Sequence, residues 1–539
     1  MEKRVKITLT ATLLIFALLV SRIWYLQIVK GETLTQEAVA QRRISVVETG
    51  VRGAILDTNF YPLTSSEFVP MAVISPDKVN NPEIVYKSLS PYSKMEEEKF
   101  KEKIKLQIPF CVYLTDYPLS PPFTGVEYMW GQNRYSKDSV AKHILGYYRE
   151  DENVGAAGLE LAFDDILRES SAKNIGVITD ARLQEIDGMG FKVTGDKAEE
   201  RSLKLTLDVS CQNIVEEIAK RSIPKGAVVL LDVENSNILA MVSQPQFDQG
   251  DVASYMNSSD GELLNRALCA FDAGSIFKIV VSAAALENGI STLDDPYHCA
   301  GAVQIGDKRI TCFDGRAHGD VNFFESFTRS CNSFFITIGE KMGIEPILDM
   351  AKRFGLGVTN QLYEGSQEQA GGVTKRDKYY SGDIANISIG QGDVMITPLQ
   401  AAQLSAIVAS GGIRHSINLV DSVVDGNRKV VESYLDKEEE RVISRETAEK
   451  IQSMMYFTTV VGTAKAANLD LYGGVACKTG TAETGWMENG KTKVHSWITG
   501  FFPADSPRYA MAVLVENGQT EGVSATPIFH EIAQRILTK

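Results

Sequence analysis

The sequence predicts an α+β protein: one N-terminal transmembrane helix, an extended and mostly β segment after it, and a C-terminal domain whose central antiparallel sheet is flanked by helices. Three observations carry the prediction. The first is an apolar stretch, 7–29, long enough to cross a bilayer. The second is a pair of apolar runs, 227–232 and 238–242, split by Glu234-Asn235-Ser236-Asn237, which reads as a hairpin of two largely buried strands. The third is the return of strand-like runs at 475–478, 496–501 and 509–515, after a central third of apolar helical segments and loops. Strands at both ends of a domain with helices between them build one sheet with helical layers.

At 539 residues the chain is long enough for two or more domains, each with its own core. The composition is that of an ordinary globular protein. A formal net charge of −14 argues against nucleic-acid binding. The seven cysteines are an odd number without a tight framework, so an obligatory disulfide set is not expected.

Taken in order, Lys3, Arg4 and Lys6 precede the apolar stretch, which is interrupted by Thr8, Thr10 and Thr12 and resumes after Ser21-Arg22. Trp24 and Tyr25 are placed as interfacial aromatics. No small-x-small cleavage pattern follows, so 7–29 reads as an uncleaved anchor and not as a signal peptide. The basic start keeps 1–6 in the cytoplasm and places the remainder outside. Residues 30–222 form a pedestal with no catalytic signature. Within it, 50–57 reads as a strand leading into a turn, 94–103 as a solvated charged helix face, 158–167 as an amphipathic helix and 203–208 as a strand. A second domain, 223–539, opens at Pro224-Lys225-Gly226. It contains a helix over 397–409, stopped by Ser410-Gly411-Gly412, and a last amphipathic helix over 528–537.

The chemistry centres on Asp272-Ala273-Gly274-Ser275-Ile276-Phe277-Lys278, followed by an apolar run that stops at Asn288-Gly289. On a buried helix Ser275 and Lys278 share a face. A serine hydroxyl needs a base within reach to act as a nucleophile. A lysine becomes that base when burial and the positive end of a helix lower its pKa. The tetrapeptide alone says little, since Ser170-Ser171-Ala172-Lys173 shares the spacing in a polar stretch. Ser330-Cys331-Asn332 and Lys478-Thr479-Gly480-Thr481-Ala482 follow in order. S-x-N alone is equally uninformative, as Ser416-Ile417-Asn418 shows. The ordered set S-x-x-K, S-x-N, K-T-G is specific to penicillin-binding and β-lactamase chemistry.

With these motifs in place, the chain resembles a class B penicillin-binding protein, a monofunctional peptidoglycan D,D-transpeptidase, over essentially its full length. The similarity extends to Tyr25-Leu26-Gln27, Arg52-Gly53-Ala54-Ile55-Leu56-Asp57, Gly158-Leu159-Glu160 with Phe163-Asp164, Asn265-Arg266-Ala267, Gly390-Gln391-Gly392 and Gly462-Thr463-Ala464. Asp272-Ala273 departs from the acidic residue and proline usual before the glycine. The resemblance implies a β-lactamase-like serine-transpeptidase domain on a dimerisation-like pedestal, anchored by one span in a bacterial cell membrane. It implies that Ser275 attacks the penultimate D-alanine of a stem peptide, that Lys278 takes its proton, and that Ser330 and Lys478 relay a proton to the leaving amine. Asn332 would hold the acyl-donor peptide. The N–H groups of Ser275 and Thr481 would form an oxyanion hole, and Thr479, Gly480 and Thr481 would bind the substrate, its carboxylate at the Thr479 and Thr481 hydroxyls. The implied partners are peptidoglycan stem peptides on lipid-linked precursors, β-lactams that trap Ser275, and a membrane glycan polymerase. Catalysis would require no cofactor. The alternatives are a β-lactamase or D,D-carboxypeptidase, and a β-lactam sensor or idle scaffold of a wall-synthesis complex.

A second constellation is Cys299, Cys312, His318 and Cys331, spaced C-x12-C-x5-H-x12-C, the last inside the S-x-N motif. Three thiolates and an imidazole suit a structural zinc. A Cys299–Cys312 disulfide suits the same spacing outside the membrane, and both readings stand. Cys111, Cys211, Cys269 and Cys477 read as isolated buried residues.

Overall fold

The structure is a computed structural model. It describes residues 2–30, 43–47, 52–65, 67–93, 95–107, 109–116, 118, 123–136, 138–149, 154–169, 174–178, 191–194, 200–488 and 490–539. Gly50, Val51, Lys94 and the tetrapeptide Ser170-Ser171-Ala172-Lys173 lie outside the described residues. The chain divides into two compact units: Met1–Arg52, Glu67–Asn133 and Arg168–Glu200 in one, and Gly53–Ser66, Arg134–Leu167 and Arg201–Lys539 in the other.

In the first unit, α1 (Glu2–Trp24) continues into a π turn, Tyr25–Val29. Ile7–Val29 is long and apolar enough to cross a membrane, with a mean hydropathy of 1.9 and none of it buried. An apolar helix left unburied by the described residues has the surface of a membrane span. Strand β1 (Glu67–Ile74) receives β2 (Phe110–Tyr113) and β3 (Val126–Asn133) on its two edges, both antiparallel. Helices α2 (Pro82–Leu89) and α3 (Glu97–Lys105) lay Val85, Leu89 and Phe100 on the Ala72, Ile74 and Val112 face. The charged run at 94–103 is therefore only half a solvated face: Phe100 is 1% exposed.

The second unit is built on a five-stranded antiparallel sheet. Its strands are β4 (Gly226–Asp232), β5 (Ile238–Gln244), β6 (Ala476–Glu488), β7 (Lys491–Phe502) and β8 (Tyr509–Val515), in spatial order β5-β4-β8-β7-β6. Both faces are covered, which explains runs that are apolar without alternation. Val229, Leu231, Ala512 and Leu514 face one core, and Val228, Leu230, Val513 and Val515 face the other. The helices that matter below are α4 (Val209–Ser222), α5 (Lys278–Glu287), α6 (Phe323–Thr328), α7 (Asn332–Met342), α8 (Pro398–Ala409), α9 (Arg445–Val460) and α10 (Ala525–Leu537). α8 is buried along its whole length against β4, β7 and β8, and α4 and α10 pack together on the opposite side. α8 starts with Pro398 inside a Thr397–Gln400 capping box, so its first amides are satisfied before burial.

Two sequence readings change here. The boundary read at 222–223 falls inside the second unit: α4 buries Cys211, Val215 and Ile218 in the core on one face of the sheet, while Leu203, Leu205 and Leu207 lie in the core on the other. The helix read over 158–167 is two short helices, Gly158–Ala162 and Asp164–Glu169, broken at Phe163. The Phe163 ring stands edge-on to Tyr434, while Glu160 is fully buried against Arg134.

Candidate active site

Ser275 lies in a 3₁₀ turn, Gly274–Phe277, that runs into α5 at Lys278. The sequence pattern predicts one α-helix for both residues; a 3₁₀ turn eclipses i and i+3 and keeps them on one side all the same. Gly274 has φ +57°, and a Cβ there would meet the Thr481 carbonyl at 2.5 Å. Glycine thus lets β6 close on the serine turn. On the other side the Gly274 N–H donates to the Gly390 carbonyl at 2.7 Å, and a Cβ on Gly390 would collide with the Gly274 carbonyl. Gln391 Nε2 reaches the Thr481 carbonyl at 3.5 Å. The serine turn is therefore clamped between the 390–391 loop and the Lys478-Thr479-Gly480 strand.

Lys278 is fully buried at the first position of α5. Its Nζ donates to Asn332 Oδ1 at 2.7 Å, Ser330 O at 3.0 Å and Ser330 Oγ at 3.2 Å. Lys478 is also fully buried, and its Nζ donates to Ser330 Oγ at 3.0 Å and to its neighbour's carbonyl, Thr479 O, at 3.0 Å. Ser330 Oγ thus stands between two lysines that come from opposite ends of the domain. Ser330 holds φ +56°, a strained backbone for a residue with a side chain, and this conformation turns it toward both amines. Burial brings Lys278 down to about 7. Burial first, and the nearby Lys278 charge second, hold Lys478 well below the ordinary lysine range. Burial of both amines around one hydroxyl disfavours the state in which both carry a proton. Ser275 Oγ has no hydrogen-bond partner among the described residues, so the lysine spends its donors on the Ser330-Cys331-Asn332 loop and not on the nucleophile.

The Lys478-Thr479-Gly480-Thr481 segment is the start of β6, paired with β7 from Ala476↔Phe501 onward. A Cβ on Gly480 would press at 3.0 Å on both Ile276 and Trp497, so the strand lies flat on the serine turn. Thr479 Oγ1 is 2.6 Å from Thr463 Oγ1, a contact between two motifs that the sequence kept apart.

Behind Asn332 lie the sulfurs. Its Nδ2 donates to the Thr311 carbonyl at 3.1 Å, one residue before Cys312. One ligand atom each from Cys299, Cys312, His318 and Cys331 falls within 4.8 Å of every other. The Sγ atoms of Cys299 and Cys312 are 3.7 Å apart, those of Cys312 and Cys331 3.9 Å, and Cys299 Sγ lies 3.3 Å from His318 Nδ1. A disulfide needs about 2.05 Å. A tetrahedral zinc with Zn–S of about 2.3 Å separates its sulfurs by ~3.8 Å, so the donor set fits that metal. Ser333, unsuspected from the sequence, sits with its hydroxyl 3.1 Å from Cys299 Sγ and 3.3 Å from Cys331 Sγ. Of the other cysteines, Cys211 and Cys477 are buried, whereas Cys111 and Cys269 are half-buried.

Residues 226–534 match the family model described as the penicillin binding protein transpeptidase domain. Stage V sporulation protein D of Bacillus subtilis is 28% identical over 562 residues, spanning 98% of this chain and 85% of that one. Peptidoglycan D,D-transpeptidase PbpA of Mycobacterium tuberculosis is 31% identical over 336 residues, 58% of this chain and 67% of the relative. Among solved structures, the penicillin G acyl-enzyme complex of M. tuberculosis penicillin-binding protein A superposes with a TM-score of 0.64 at 24% identity, covering 90% of this chain and 99% of that one.

Proposed function

The chain belongs to the penicillin binding protein transpeptidase domain family, and from that premise we propose that it is a membrane-anchored serine D,D-transpeptidase that cross-links peptidoglycan stem peptides and is acylated by β-lactams. The observation that carries this reading is Ser330 Oγ held between Lys278 Nζ and Lys478 Nζ, beside a clamped Ser275 turn. The relatives named D,D-transpeptidases support the activity, and the penicillin G acyl-enzyme of a neighbour supports the β-lactam reaction.

In this reading Ser275 Oγ attacks the carbonyl of the penultimate D-alanine. Lys278, half deprotonated near pH 7, accepts the hydroxyl proton. The proton leaves through the Ser330 hydroxyl, which Lys478 holds in place, to the nitrogen of the departing terminal D-alanine. That bond breaks and an acyl-enzyme remains. Asn332 holds the donor peptide with its remaining Nδ2 hydrogen, and Thr479 and Thr481 take the terminal carboxylate. The N–H groups of Ser275 and Thr481 stabilise the oxyanion, a contribution of roughly 3 kcal/mol. An amine of a neighbouring stem peptide then displaces Ser275 and forms the cross-link.

The N-terminus is cytoplasmic and the catalytic domain extracytoplasmic, as the basic residues before the span suggest. A pedestal ahead of the catalytic domain, and a membrane glycan polymerase that supplies the strands, complete the arrangement. The Cys299, Cys312, His318 and Cys331 set holds a structural zinc that braces the loop bearing Ser330 and Asn332; no chemical step runs through it.

The test is intact mass of the full-length protein in detergent after exposure to benzylpenicillin, with Ser275→Ala beside it. A long-lived adduct on wild type, absent from the variant, is expected. A short-lived adduct with rapid penicillin turnover would indicate a hydrolase, and no adduct would end the catalytic reading.

A further inference from the structure

Thr463 stands outside the three motifs, yet its hydroxyl is the only side-chain group bonded to the Thr479 hydroxyl among the described residues. The turn that carries it follows α9, which packs on β6. The Thr463 N–H donates to the Thr328 carbonyl at 3.2 Å, and Ala464 N–H donates to Thr458 O at 3.0 Å. A Cβ on Gly462 would run into the Thr328 carbonyl, so glycine lets this turn press on the end of α6. Thr328 is two residues before Ser330. The turn is thus fixed to the Ser330 side of the site and touches the Thr479 side through one hydrogen bond of 2.6 Å.

A pair of hydroxyls has two protons, and the mutual bond uses one. The other is free for a ligand. A carboxylate only accepts, so in its presence one proton must point at it. The remaining proton then joins the two oxygens, giving a chain from hydroxyl to hydroxyl to carboxylate in which each bond polarises the next. The oxygen anchored in the 462–464 turn is the rear of that chain, and Thr479 on the strand that carries the substrate-binding motif is the front.

On these grounds, and resting on the transpeptidase reading above, we propose that Thr463 is a positioning residue for the acyl donor's free carboxylate: it donates to Thr479 Oγ1 and so directs the Thr479 proton toward the substrate. It selects donors that end in a carboxylate and leaves the chemistry at Ser275 alone.

The experiment compares wild type, Thr463→Val and Thr463→Ser as full-length protein in detergent. The donors are a benzoyl-D-alanyl thioester of thioglycolate and the same thioester with its carboxylate capped as the amide. Thr463→Val is expected to lower kcat/KM for the carboxylate donor by about tenfold, mostly through KM, and to change the amide donor by less than about twofold. Thr463→Ser should restore most of the loss. Equal losses on both donors, or no loss with wild type active, would overturn the role of Thr463 while leaving the transpeptidase reading intact. Wild type that is never acylated by either donor would overturn both.

Discussion

Residues 330–333 alternate between two buried clusters, and the contrast between them is instructive. Ser330 and Asn332 turn to Lys278 and Lys478, while Cys331 and Ser333 turn to the other sulfurs. Both clusters bury ionisable groups with no opposite charge hydrogen-bonded to them among the described residues, and burial favours the uncharged form. For an amine, losing its proton achieves neutrality and produces a base. For a thiol, losing its proton produces an anion, which becomes tolerable in the interior once a cation joins it. The same burial therefore suits one side of the loop to proton transfer and, in the zinc reading proposed above, the other to holding a metal.

Four measurements test this division of labour along the loop. The largest effect is expected from Lys278→Met, which keeps the volume and removes the base. The rate of acylation by benzylpenicillin should fall by about 10³-fold with little change in Tm, since the loss of its three hydrogen bonds is offset by no longer burying an amine. A fall in both would mean that the lysine cluster is structural. Next comes the metal. Purified protein should carry one zinc by elemental analysis. Its removal by a chelator, or Cys331→Ser, should lower Tm by several degrees and slow acylation by roughly 10–100-fold. Zinc-free protein with an unchanged Tm would remove the metal from the account.

The pH profile is third. Lys278 must be neutral to accept a proton, and its pKa is depressed to about 7 by burial. Acylation should therefore be full above that value and fall by roughly tenfold for each unit below it. A profile flat from pH 5 to pH 9 would contradict the assignment of the base. The smallest effect is expected at Ser333, whose hydroxyl is bonded to sulfur alone among the described residues. Ser333→Ala should weaken zinc binding by about tenfold and leave acylation at saturating zinc within about twofold. A larger loss of activity would show that the sulfur cluster does more than brace the loop.

Much of the fold was legible because it rests on continuous apolar runs. The 227–232 and 238–242 hairpin, the helix over 397–409 and the strand over 509–515 are visible since each buries nearly every side chain. The division of the chain into compact units was not legible, although the family match begins at 226. Pro224-Lys225-Gly226 reads as a break, yet α4 just before it is held by contacts to α10, more than 300 residues later in the chain. The break at Phe163 was equally hidden: its ring packs edge-on to Tyr434, a partner remote in sequence. Within the site, Ser275, Lys278, Ser330, Asn332 and Lys478 could be named because their spacings are short and local. Thr463 and Gly390 were visible only as parts of glycine-containing words with no stated task, and Ser333 left no signal.

What the sequence determined by itself is therefore the set of reacting groups and the segments that carry them, since motif spacing and apolar periodicity are properties of neighbours along the chain. The tertiary structure decided which of those groups meet. It set Ser330 Oγ between two lysines 200 residues apart, turned Lys278 toward Asn332, and closed four separate donors into one cluster. It also decided their charge states, because the burial that lowers a lysine to about 7 is supplied by elements remote in sequence, and desolvation depends on everything packed around a group.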